Sequence, residues 1–148
     1  MRVTLPRCVV LTGVWLVSSL AVAQGRFDLG KRVYDNSCAS CHGVAAKGDG
    51  PLTRYLVKPS PDLTLLARHN GEVFPRDRVA EVIDGRTSTE IGPHGSREMP
   101  IWGDVFRKDA GTAGVSGARQ VERHAQQRVQ ALVDYLAQIG RASCRERV

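Results

Sequence analysis

Apolar side chains along this chain recur mostly at three- and four-residue intervals, the spacing that gathers them on one face of a helix. Phe27, Gly30, Val33 and Tyr34 predict a first helix over residues 26–37. Asp62 is placed to cap a short helix running to about His69, with Gly71 as its stop. Pro75 suits a first helical position and Asp77 a first turn, so Val79, Val82 and Ile83 form the stripe of a further helix that ends at Gly85. A short helix is expected over residues 102–107. A long last one begins near Ser116 or Ala118 and carries Val121, Ala125, Val129, Leu132, Val133 and Leu136. The stretches between, 43–61, 87–100 and 109–117, are rich in glycine, proline or small residues and read as connections. No segment alternates convincingly with period two, so the fold class expected is all-α.

The two ends depart from this pattern. Arg2 and Arg7 precede a nearly uninterrupted apolar run over residues 9–17, and Ala21-Val22-Ala23 fits a cleavage site before Gln24. Residues 1–23 therefore read as a cleaved signal peptide, too short in its apolar run to span a bilayer comfortably. Residues 139–148 back-translate as ATC GGA AGA GCG TCG TGT AGG GAA AGA GTG, a string that matches a widely used short-read sequencing adapter. They are expected to be adapter read-through, with genuine sequence ending at or before Gln138. One working domain, residues 24–138, remains.

Trimming the ends changes the charge and the cysteine count. The full 148-residue chain carries a formal +6, of which Arg2 and Arg7 account for +2 and the tail for another +2. A domain of about +2 gives little support to nucleic-acid binding. Cys8 leaves with the signal and Cys144 with the tail, so Cys38 and Cys41 are the only thiols left.

Those two thiols belong to Cys38-Ala39-Ser40-Cys41-His42. The C-x-x-C-H string marks c-type haem attachment: each thiol forms a thioether to a haem vinyl group and the adjacent imidazole ligates the iron. A structural zinc site needs a second ligand pair, which His69, His94 and His124 do not supply by spacing. A thioredoxin-like dithiol needs a preceding strand, and the motif here follows a helix. A disulfide across two residues is strained. The expected cofactor is one covalent haem c, held by Cys38 and Cys41 with His42 as axial ligand. Elimination proposes the other ligand. Met1 leaves with the signal, so a methionine ligand must be Met99, in the turn Met99-Pro100. His94 is the alternative, and an open or water-ligated iron a third possibility.

With these residues in hand the chain resembles class I c-type cytochromes. The matching parts are the helix running into CASCH, Gly50-Pro51-Leu52, Met99-Pro100-Ile101-Trp102-Gly103 and Leu132-Val133-Asp134-Tyr135-Leu136. The resemblance implies a small helical shell wrapped around one haem, its first and last helices crossing at Gly30, with Tyr34 near Leu132 and Tyr135. It implies that the Pro51 carbonyl accepts a hydrogen bond from His42 Nδ1, that Trp102 lies at a haem edge, and that Arg86 pairs with a propionate. The region 59–98 is longer than a minimal member of the family needs, and Tyr55 and Lys58 take no role.

The function expected is exported, periplasmic transfer of single electrons between redox-protein donors and acceptors, by a carrier rather than an enzyme. No nucleic acid and no stable membrane insertion after signal cleavage are expected. The alternative is a cytochrome subunit docked permanently to a dehydrogenase or terminal oxidase. A haem enzyme or gas sensor needs an open iron site, against which Met99 argues. A single haem argues against a di-haem peroxidase.

Overall fold

The computed structural model describes residues 24–86 and 99–145. The expected signal segment and the turn-rich stretch 87–98, with His94, lie outside the described residues. Helix α1 spans residues 24–37 and α2 is the single turn Ala39–His42; α3 is Arg76–Asp84, α4 Trp102–Thr112 and α5 Ala118–Arg145. Three 3-10 turns, Thr53–Tyr55, Leu63–Leu65 and Arg68–Asn70, bridge α2 and α3. Among the described residues there is no strand.

The last helix organises the others. Its stripe Ala125, Val129, Leu132, Val133 and Leu136 is buried, and α5 packs against α3, α4 and the turn Leu63–Leu65. Helix α1 crosses α5 at Gly30. A Cβ there would run into the Ala131 carbonyl oxygen and come within 2.8 Å of Tyr135 Cβ, so the two backbones approach as closely as glycine permits. Around the crossing, the Tyr135 ring lies 5.4 Å from Phe27 and 5.3 Å from Tyr34, at tilts of 51° and 47°. Tilted pairs at this spacing add a modest attraction to the area they bury. Asp134 ties the same region with ion pairs to Arg26 at 2.7 Å and to Arg76.

Local chemistry explains most element ends. Asp62 caps as expected, accepting from the backbone N–H and the hydroxyl of Thr64 at 2.8 and 2.6 Å. The helix it was expected to open is instead two 3-10 turns, closed by Gly71 in the left-handed region. Pro75 stands one position before α3 rather than inside it, and Gly85 ends the helix at φ 71°. Helix α4 runs to Thr112, five residues beyond the expected 107, because Trp102, Phe106 and Ala110 continue an apolar face at four-residue spacing, with the last two fully buried.

Candidate functional site

Helix α1 delivers the cysteine motif directly. The N–H of Cys38 still bonds the Tyr34 carbonyl at 2.8 Å, and after this one-residue break the chain resumes helical turns. Cys41 N–H and His42 N–H both reach the Cys38 carbonyl, at 3.1 and 2.9 Å. Positions i, i+3 and i+4 of a helical turn share a face, so Cys38, Cys41 and His42 present two thiols and an imidazole together. Both thiols are free and half-buried. Burial pushes the Cys38 thiol up to about 12, and the Cys41 sulfur adds to the effect. Conversion to a thioether removes that ionisable proton, leaving no charge to desolvate at the position.

One turn of helix leaves its last carbonyls without helical partners, and the following loop supplies them. Gly48 N–H bonds the His42 carbonyl at 2.9 Å, Gly50 N–H that of Cys41 at 3.1 Å, and Leu52 N–H that of Ser40 at 2.9 Å. Thr53 Oγ1 donates to the Cys41 carbonyl at 2.6 Å. Tyr34, fully buried, donates its hydroxyl to the Gly43 carbonyl at 2.6 Å. A Cβ on Gly50 would stand 2.6 Å from the Cys41 carbonyl oxygen, so this close return of the loop requires glycine. Thr53 carries no motif of its own. A composition of Gly, Pro and Ser announced the loop without announcing its grip on the motif.

The partner of the histidine differs from expectation. His42 Nδ1 lies 3.3 Å from the carbonyl oxygen of Pro61, not of Pro51. Bonds from Gly50 and Leu52 to the motif backbone hold Pro51 in an exposed turn between them. The chain then doubles back, Leu63 N–H bonding the Ala46 carbonyl at 2.8 Å, and brings Pro61 to the ring. Gly48 permits this return: a Cβ on it would strike the Ser60 carbonyl and sit 3.2 Å from the Pro61 carbonyl carbon. A carbonyl can only accept, so Nδ1 carries the proton and Nε2 keeps its lone pair for a metal. Burial lowers the His42 pKa, opposed by the Pro61 bond, and a neutral ring is what ligation requires.

Arg86 is also reassigned. Its guanidinium is taken by two carboxylates, Nε and Nη2 on Asp84 at 2.6 and 2.7 Å, Nη1 and Nη2 on Glu122 at 2.8 Å each. It joins the end of α3 to α5. Cys38, Ala39, Leu63, Leu66, Met99 and Trp102 are all partly buried against one apolar core that includes Val79, Ile83 and Phe106. The Trp102 ring lies 5.7 Å from that of Phe106. Among the described residues, no group of three or more His, Cys, Asp or Glu side chains converges as a metal-binding cluster.

A model of the cytochrome c family matches residues 27–140. The chain belongs to the cytochrome c family. Comparison with curated proteins and with solved structures gives no match. The cytochrome carries haem c bound covalently through its cysteines, Cys38 and Cys41 of the CxxCH motif, and is an electron carrier, not an enzyme. The residues fit that group: two free thiols and a neutral imidazole share one face, and the imidazole has a fixed tautomer.

Proposed function

We propose that this cytochrome c is an exported one-electron shuttle whose iron is held between His42 and Met99. The observation that supports the reading is that Met99 and Cys38 are both partly buried against the same apolar core, while the Nδ1 of His42 is committed to the Pro61 carbonyl. The haem iron supplies the Fe(III)/Fe(II) exchange; the chain sets its cost. A thioether at Met99 favours the reduced state relative to a second imidazole. Leu63, Leu66, Val79 and Ile83 keep the surroundings apolar and disfavour the extra charge of the oxidised state. The Pro61 carbonyl works the other way, making His42 a better donor and favouring Fe(III).

A carrier must also meet partners briefly. The loop after the motif exposes Val44, Leu52, Tyr55 and Val57, with Val57 at 92%, among Lys47 and Arg54, whose guanidinium lies 4.9 Å over the Tyr55 ring. Apolar contact rimmed by positive charge suits short-lived docking on an acidic partner surface. Export is supported by Arg2 and Arg7 before the apolar run and by the Ala21-Val22-Ala23 site. Among the described residues no helix is long and apolar enough to cross a membrane.

Spectroscopy of the haem-loaded protein tests the ligand pair. The oxidised form is expected to be low-spin with a weak far-red methionine–iron band, and Met99→Ala to abolish the band and lower the potential. An unchanged spectrum in that variant removes Met99 from the site. N-terminal sequencing of the exported protein should begin at Gln24. Purification from its native compartment separates a free carrier from a subunit docked to a dehydrogenase or oxidase.

A further inference from the structure

Thr53 spends its hydroxyl outside its own turn. It is the first residue of the 3-10 turn Thr53–Tyr55, a place where a side-chain oxygen ordinarily accepts from a free backbone N–H. Instead its Oγ1 lies 2.6 Å from the Cys41 carbonyl oxygen and 3.0 Å from that of Gly48, and a hydroxyl can serve a carbonyl only as donor. Both carbonyls bear on His42. The first belongs to the peptide that enters His42; its oxygen also accepts from Gly50 N–H at 3.1 Å, and its N–H is held by the Cys38 carbonyl at 2.9 Å. The second belongs to Gly48, whose own N–H holds the carbonyl leaving His42, at 2.9 Å. Gly48 is also the surface on which the chain returns, since no Cβ fits between it and the Ser60 carbonyl. From there the Pro61 carbonyl reaches His42 Nδ1 at 3.3 Å.

One oxygen thus joins the backbone that carries the imidazole to the backbone that carries its hydrogen-bond partner. We propose that Thr53 is a positioning residue for the iron ligand: its hydroxyl, lodged between the Cys41 and Gly48 carbonyls, holds Pro61 against His42 Nδ1 and so helps to set the reduction potential. Without the hydroxyl, Gly50 N–H still holds the Cys41 carbonyl, so the motif keeps its turn. The Gly48 carbonyl loses its side-chain donor, and the strand of chain leaning on Gly48 is free to draw away from the ring. A more distant carbonyl makes the imidazole a poorer donor, which costs the oxidised iron more than the reduced. The proposal rests on His42 as an axial ligand and is independent of Met99.

Thr53→Val keeps the side-chain shape and removes the hydroxyl. Two properties of the haem-loaded protein are expected to change together. The His42 Nδ1 proton, followed by NMR in the reduced state, should exchange with solvent about three- to tenfold faster, the range that loss of one ordinary hydrogen bond gives. The reduction potential should rise. Thr53→Ser returns the hydroxyl and should restore both. Pro61→Gly alone should also raise the potential, and adding Thr53→Val to it should raise it little further, because both act through one bond. Arg76→Ala breaks an ion pair between α3 and α5, outside the loop, and should lower unfolding stability with exchange and potential unchanged. If Thr53→Val does not load haem, Thr53→Ala is read in its place by the same two criteria. Wild-type exchange and potential in the variant would overturn the proposal while leaving His42 ligation standing. So would fully additive shifts in the double variant, or equal shifts in Arg76→Ala. A wild-type His42 ring without haem-shifted resonances would defeat ligation by His42, and this proposal with it.

Discussion

Gly30 lies so close to Ala131 that a single methyl group on the glycine would collide with the alanine's carbonyl oxygen. Alanine in place of an interior helical glycine ordinarily gains up to ~1 kcal/mol from propensity. At Gly30 the sign reverses, because the obstacle is backbone, which cannot rotate away as a side chain would. Gly30→Ala is expected to destabilise the haem-loaded protein by about 1–3 kcal/mol. Gly111, in α4 with nothing within 4 Å, is the internal comparison: Gly111→Ala should be neutral or stabilising. Urea unfolding of the two variants checks the contrast.

Tyr34 joins the crossing to the motif. Its ring packs on Tyr135 and its hydroxyl bonds the carbonyl of Gly43, the residue after His42. Burial pushes the phenol pKa well up, so the hydroxyl remains a donor throughout the working pH range. Tyr34→Phe keeps the ring but strands a carbonyl, for an expected loss of about 1–2 kcal/mol in thermal unfolding.

Pro61 and Pro51 make opposite predictions for the reduction potential. Pro61→Gly loosens the carbonyl held 3.3 Å from His42 Nδ1, weakens the ring as a donor, and should raise the potential. Pro51→Gly changes an exposed turn and should leave the potential where it is. Redox titration of the two variants decides which proline orients the ligand.

Acid should loosen the link between α3 and α5. Hydrogen bonds from Arg86 hold the Asp84 and Glu122 carboxyls below their ordinary values. The unfolded chain then takes up protons first, so stability is fully present above the ordinary carboxylate pKa of about 4 and is lost as pH falls through the lower folded value. Wild type is expected to lose more stability than Asp84→Asn over that acid range, measured as denaturation midpoints at matched ionic strength.

The features legible in the sequence were those with a local cause. CASCH is a contiguous pattern, and the stripes of α1, α3 and α5 follow from three- and four-residue spacing. Asp62 and Gly85 act within a few residues of themselves, and both cap as their chemistry dictates. Gly30 was legible through family resemblance, since nothing in its neighbours reveals what it meets across the fold.

What the sequence did not reveal depends on the path of the chain. Three prolines, Pro51, Pro59 and Pro61, follow His42 within a plausible loop length, and choosing among them requires knowing that Leu63 bonds back to Ala46. Arg86 reads as a solitary cation until α5 brings Glu122 to it. Thr53 is unremarkable in sequence and becomes a fastening only when its hydroxyl meets the Cys41 carbonyl. Each is a long-range or loop-borne contact, beyond the reach of helical periodicity.

The crossing of α1 and α5 also orders events in time. A chain emerging N-terminus first exposes Cys38 and Cys41 while Ala131 and Tyr135 have yet to appear. Until they do, the apolar face of α1 has no partner, and a helix of its length is marginal alone. The thiols are therefore presented on an unfinished scaffold until the last helix arrives. A nascent chain stopped before α5 should stay extended and easily cleaved by protease around the motif.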